Sequence, residues 1–196
     1  MRRVAVSGMG VVSPLGNSAA EAFANARAGR SGIRVLDFPF ARRLSTPLAA
    51  TAEFDETAHF GSPHLRMLDR FSRFALFVAN QAVEDSHCAL AGLDRARIGV
   101  FVGTGMGGTT TMDDGYKTLY DCDSDRIKPF TILMGMHSAA AAWIGIEHGL
   151  RGPNLTYSTA CSSSAVAIGE AWLRVASGQL EVALATAPKR HCRRVH

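Results

Sequence analysis

The sequence predicts an α/β fold, and three observations carry that prediction. Apolar runs that read as strands alternate with segments of helical period, at spacings that suit strand–helix–strand layering. Glycine- and proline-bearing turns separate them. The 196 residues are 47% hydrophobic and 19% charged, which supplies one sizeable core and leaves too little charge for long disorder.

Arg3-Val-Ala-Val-Ser7 reads as a short strand, ended by the loop from Gly8 to Gly16. Ser18 with Glu21 three residues later makes a capping box, so a helix runs to about Ala28 and Gly29 stops it. Residues 30–62 read as loops and short strands without clear period. Ser62-Pro63 fits an N-cap followed by proline in the first turn. Leu65, Leu68, Phe71, Ala75, Val78 and Ala82 then form one apolar face of a helix to about Ser86. Arg66, Asp69, Arg70 and Arg73 fall mostly off that stripe, as a solvated face.

Ile98-Gly-Val-Phe-Val102 is a buried-strand candidate running into the glycine-rich Gly103–Gly108. Residues 135–148 read as an alanine-rich helix, punctuated by Gly149 and Gly152-Pro153. Asn154–Ser158 is a strand, Ser162–Ser177 a helix and Glu181–Thr186 the last strand. The chain shows neither a short-period repeat nor a low-complexity linker.

The formal charge of +4 resembles a nucleic-acid footprint until its distribution is read. Lys189, Arg190, Arg193 and Arg194 lie in the last eight residues, and residues 1–188 balance 17 basic against 17 acidic side chains. The positive charge belongs to a tail and not to a basic face, so nucleic acid is not an expected partner. Cys88, Cys122, Cys161 and Cys192 lie 34, 39 and 31 positions apart, with no C-x-x-C pair, so no local zinc site is expected. The uncharged run Val4–Ala20 is broken by Gly8, Gly10, Pro14 and Gly16, unlike a signal peptide. Residues 129–146 are uncharged but carry Pro129, His137 and Ser138, which favours a buried soluble segment over a span. The expectation is a cytoplasmic protein with reduced thiols and no membrane partner.

Leu155-Thr-Tyr-Ser-Thr-Ala-Cys-Ser-Ser-Ser164 is the most informative segment, because it places Cys161 at a strand-to-helix turn. The thiolate is the nucleophilic form of cysteine, and a helix N-terminus contributes about 0.3–1 kcal/mol towards an anion. That favours reactivity without completing a site. The bland alternative is a small buried residue, as free cysteines often are. Ala160, Ala165, Ala167 and Gly169 argue that this helix enters a crowded interior, and Ser162, Ser163 and Ser164 read as caps and first-turn residues. A Gly-x-Ser-x-Gly elbow is absent.

Val6-Ser-Gly-Met-Gly-Val-Val-Ser-Pro-Leu-Gly16 resembles the opening of elongating β-ketoacyl synthases. Gly103-Thr-Gly-Met-Gly-Gly108, Gly149-Leu-Arg-Gly-Pro153 and Ser158-Thr-Ala-Cys-Ser-Ser-Ser164 follow in that family's order, so the resemblance spans residue 3 to about 185. The Ala-Cys-Ser-Ser-Ser form is also similar to polyketide ketosynthase domains. The resemblance implies the first of two similar halves of a thiolase-like fold. It implies that Cys161 accepts an acyl group from an acyl carrier protein, and that its own amide forms half of an oxyanion hole. The reaction implied is decarboxylative Claisen condensation with a malonyl thioester, in fatty-acid or polyketide synthesis, without a cofactor. Met106 takes the position of a residue at the acyl-pocket wall. The strand at Asn154–Ser158 resembles the one through which family members pair as homodimers.

The resemblance also implies parts not found in these residues. Family members run to roughly twice this length, and their second half supplies two histidines, a lysine and a glycine-rich loop. His137, His148, His191 and His196 match none of them, and a helix after Cys161 without the second half would lose part of its cover. Residues 1–186 are therefore expected to be an incomplete N-terminal synthase domain, and 187–196 a basic tail unlike the family. The expected origin of Thr186-Ala-Pro-Lys-Arg-His-Cys-Arg-Arg-Val-His196 is a frame shift or truncation that replaced the second half; a basic docking tail is the rival reading.

Two other functions compete. Gly103-x-Gly105-x-x-Gly108 after a strand also fits a dinucleotide-binding turn, but the polar Thr109–Tyr116 offers no apolar helix face behind it. A non-catalytic partner resembling chain-length factors is the second, and Cys161 speaks against it. Condensation needs groups that act as a unit, so this 196-residue chain on its own is expected to give no malonyl-dependent elongation of an acyl thioester. Detection of an elongated product would overturn that expectation.

Overall fold

The computed structural model describes residues 1–37, 41–87, 90–122 and 124–188. Cys88, Cys192, His191, His196 and nearly all of the 187–196 tail lie outside them. Ile98–Gly103 (β3) is the centre of the fold. It is hydrogen-bonded in parallel to Asn154–Tyr157 (β4) on one edge and Val182–Thr186 (β5) on the other. Two earlier strands, Ile33–Val35 (β1) and Leu48–Ala50 (β2), form a separate antiparallel pair.

Every residue of β3 is buried, because helices cover both faces of the sheet. Side chains alternate across a strand. Val100 and Val102 pack with Arg70–Asp85 (α4) and Ala139–Glu147 (α7), through Phe71, Ala75, Ala79, Ala140 and Ile144. Phe101 points the other way, onto Ala167 and Ala171 of Ser163–Ala176 (α8). Each fully buried large apolar side chain contributes about 1.5–3 kcal/mol. The remaining helices are Ala19–Arg27 (α1), Glu56–His59 (α2), Ser62–Met67 (α3), Thr109–Tyr120 (α5) and Thr131–Gly135 (α6).

Several sequence expectations hold. α1 starts where the capping box places it, with Ser18 Oγ accepting from the Glu21 amide, and Gly29 ends it at φ 68°. The Glu21 carboxylate reaches the Asn17 amide. The strands at 98–103, 154–157 and 182–186 and the helix after Cys161 stand as read.

Others need correction. Residues 3–7 form no strand. Point contacts hold this end of the chain: the Arg2 amide donates to the Ala176 carbonyl, and the Met9 and Val11 amides to Asp85 and Gln81 on α4. Gly10 lies so close to α4 that a Cβ there would sit 2.0 Å from the Val78 carbonyl oxygen.

The expected helix from Ser62 to Ser86 is two helices, broken at Leu68 and Asp69. Asp69 is not solvated. It is 3% exposed and caps α4, accepting from the Phe71 amide. Arg70 and Arg73 both pair with Glu56, whose side chain is mostly buried. Thr109–Tyr120 is a helix despite its polar sequence, with only Thr111 buried among its residues. The alanine-rich helix begins at Ala139, after the separate α6.

The small-residue stripe after Cys161 is only partly interior. Ala167 meets the sheet, whereas Ala160, Ala165 and Gly169 are exposed, and Ile168, Trp172 and Leu173 are also open on α8. No helix among the described residues is long and apolar enough to cross a membrane.

His148 ends α7, half-buried, and its carbonyl accepts from Arg95. Burial, more than the opposing effect of Glu147, holds its imidazole below the ordinary 6.5, with the Arg95 charge acting the same way. The unfolded chain therefore takes up this proton first as pH falls. The contribution is intact above 6.5 and is lost as pH drops through the folded value. Urea midpoints should fall below pH 6.5, and His148→Gln should flatten that acid limb; an unchanged limb in the variant would assign it to other groups.

Candidate active site

Parallel pairing brings the carboxyl ends of the strands to one side of the sheet, where open α/β sheets bind ligands. Gly103 is level with Tyr157, and Val102 with Thr186. Two loops leave from that edge, Thr104–Gly108 after β3 and Ser158–Ser162 after β4. The second is a turn of 3-10 helix over Ala160–Ser162, and it carries Cys161, exposed, immediately before α8.

The turn is strained and then locked. Ala160 has φ 52°, a left-handed conformation that costs a non-glycine residue about 1–2 kcal/mol. Ser163, 2% exposed, holds it: its hydroxyl accepts from the Thr159 amide at 2.8 Å and donates to the Ala160 carbonyl at 2.7 Å. Ser162 Oγ donates to the Thr159 carbonyl at 2.7 Å. The first turn of α8 is thereby fixed behind the thiol.

The glycine loop meets the cysteine turn directly. Ser163 Oγ lies 3.4 Å from the Thr104 carbonyl, and Ser158 Oγ donates to the Gly105 carbonyl at 3.4 Å. A Cβ on Gly105 would come within 3.9 Å of Ala160. A Cβ on Gly103 would stand 2.3 Å from the Ser163 carbonyl oxygen, so only glycine lets α8 start this close to β3. Met106, 54% exposed, projects from the same loop.

The geometry therefore gathers Cys161 and Met106 on adjoining loops. Its support includes residues that the sequence reads otherwise: Ser163 as a cap, Thr104 as loop, Asp69 as solvated face and Thr111 as part of a polar stretch. Asp69 Oδ2 accepts from the Thr111 amide at 2.8 Å and its hydroxyl at 2.7 Å. An acid one residue before a helix and a threonine in the first turn of another were the available signals. Neither says which partner it finds. No group of three or more potential metal ligands converges among the described residues.

Residues 1–194 match the family model described as "Beta-ketoacyl synthase, N-terminal domain". The chain belongs to the β-ketoacyl synthase family. A 3-oxoacyl-[acyl-carrier-protein] synthase 2 of Vibrio harveyi is 32% identical over 94% of the chain and 45% of its own length. The synthase chain here thus spans about half the length of the curated relatives it matches. The ishigamide ketosynthase/chain length factor shares the thiolase-like fold with TM-score 0.86 at 24% identity, covering 98% of this chain and 48% of that one. A type II polyketide synthase acyl-carrier protein in complex with its ketosynthase, bound to the hexaketide, gives TM-score 0.79 at 22% identity, over 97% and 51% of the two chains. The synthase fold is therefore present here as one half.

The seat of α8 is testable. Gly103→Ala forces backbone apart and should cost about 1–3 kcal/mol. Ser163→Ala removes two hydrogen bonds made by a buried side chain and should cost a similar amount, about 1–3 kcal/mol. Chemical denaturation reads both, and a Gly103→Ala protein as stable as the parent would contradict the close approach.

Proposed function

We propose that this chain supplies the acyl-accepting half of a β-ketoacyl-[acyl-carrier-protein] synthase, with Cys161 as nucleophile. The observation that carries the reading is the exposed Cys161 on a locked turn at the N-terminal end of α8, facing the glycine loop. The thiolate attacks the carbonyl of an acyl-carrier-protein thioester. The carbonyl oxygen gains negative charge near the first amides of the helix, which stabilise it. The new Sγ–carbon bond forms, the carrier's carbon–sulfur bond breaks, and the carrier thiolate takes a proton on leaving.

In the whole enzyme the acyl group then joins a carbanion made by decarboxylating a malonyl thioester. Met106 stands at the wall of the acyl site, where its flexible side chain adapts to the chain it meets. An acyl carrier protein is the donor, a reading supported by the similar ketosynthase that binds one. β4 lies at the edge of its three-stranded sheet, which suits pairing between two copies; a homodimer through that strand completes the proposal. We read residues 1–186 as the domain unit, which ends with β5, and the sequence 187–196 as a basic tail.

Intact-mass measurement after incubation with an acyl-carrier-protein thioester tests the central step. One acyl adduct is expected on the parent and none on Cys161→Ala. A soluble, monodisperse parent without an adduct, or an adduct that survives in the variant, would sink the reading.

A further inference from the structure

We propose that Asp69 is a positioning residue for the loop that carries Met106, acting through Thr111 at the start of the helix that follows the loop. This rests on the acyl-accepting role given to Cys161. The carboxylate is 3% exposed and serves two helices. Oδ1 accepts from the Phe71 amide in the first turn of α4 at 3.0 Å, which is an ordinary cap. Oδ2 accepts from both donors of Thr111, amide at 2.8 Å and hydroxyl at 2.7 Å, in the first turn of α5.

α5 begins at Thr109, directly after the Gly103–Gly108 loop. One end of that loop is tied to the sheet, where the Thr104 amide donates to the Tyr157 carbonyl. The other end is tied through Thr111 to Asp69. Between the ties the hydrogen bonds are long, with Gly107 donating to Thr104 Oγ1 at 3.4 Å, Ser158 Oγ to the Gly105 carbonyl at 3.4 Å and Gly108 to the Gly135 carbonyl at 3.2 Å, while Gly107 and Gly108 pack on Met134, Gly135 and His137. Four glycines in six residues give the loop little stiffness of its own. The ties at Thr104 and Thr111 bracket these contacts beside the Cys161 turn, and a buried charged acceptor makes the stronger hydrogen bonds.

Asp69→Ser separates this role from capping. Serine is a good N-cap for α4, yet its one short hydroxyl does not also span to Thr111. Thr111→Val removes a donor from the other side and leaves the α4 cap intact. Amide hydrogen exchange is read at Gly107 and Gly108 and at Phe71–Arg73. Both variants should speed exchange in the loop by about tenfold, with the first turn of α4 near the parent rate. Asp55→Ala, which removes the cap of α2, should lower stability and leave the loop unchanged.

Loop exchange at the parent rate in both variants, or a change confined to α4, would overturn the proposal. If Asp69→Ser does not fold, Thr111→Val decides by itself. Exchange does not depend on acylation, so a parent chain without an adduct refutes the role of Cys161 and still leaves the anchoring tested. With the adduct, both variants should slow acylation by a long-chain carrier thioester more than by an acetyl one; equal slowing would mean that the loop does not sort chain length.

Discussion

α8 starts against β3 with no side chain between them, and that close approach carries the rest of the site. A Cβ added at Gly103 would stand 2.3 Å from the Ser163 carbonyl oxygen. Because the helix is seated there, Phe101 packs onto Ala167 and Ala171, and the turn that enters the helix lies at the carboxyl edge of the sheet. Move the helix outward by the width of a methyl group and the turn carrying Cys161 would leave the glycine loop. The requirement is steric. It explains why small residues are needed on both sides of the contact.

Strain and hydrogen bonding meet in the same few residues. Ala160 adopts a backbone conformation that an alanine does not choose, and the hydroxyls of Ser162 and Ser163 hold the surrounding turn in place. A buried hydroxyl that both accepts and donates fixes direction as well as distance, which suits a nucleophile that must present its sulfur to a carbonyl. Strain of this size persists only where neighbouring contacts over-determine it. On the opposite side of the same helix, Ile168, Trp172 and Leu173 are open. An apolar face of that kind is a surface for association, in a chain that spans about half the length of its curated relatives.

Asp69 illustrates how a local pattern misleads. Leu65, Leu68, Phe71 and Ala75 keep helical spacing straight through the break, because both helices turn the same face to the core. Periodicity reports which side of the chain is buried, and it is silent about an interruption that preserves that side. The acid reads as solvated because charged residues almost never bury alone. Here it is not alone: Phe71 and Thr111 supply three donors, and Thr111 is 42 positions away. Residues 3–7 fail in the opposite sense. Their apolar alternation suits a strand, but strand identity depends on a neighbour, and the anchors that flank them, at Arg2, Met9 and Val11, are single contacts to α8 and α4.

The sequence by itself determined the α/β class, the three strands at 98, 154 and 182, the first helix with its cap, and Cys161 at a strand-to-helix turn. Those features rest on local forces: side-chain period, capping chemistry and glycine punctuation act within a few residues. The motif order pointed to the β-ketoacyl synthase family on the same local footing. Only the tertiary structure decided that Ser163 locks the cysteine turn and that Asp69 joins two helices. It also decided that Arg70 and Arg73 share Glu56, and that one face of α8 stays open. Apart from the Ser163 turn, whose partners Thr159 and Ala160 are local, each of these is a pairing between residues far apart in the chain, or the want of one. Which donor meets which acceptor is settled by how the layers pack, and no window of sequence contains that information.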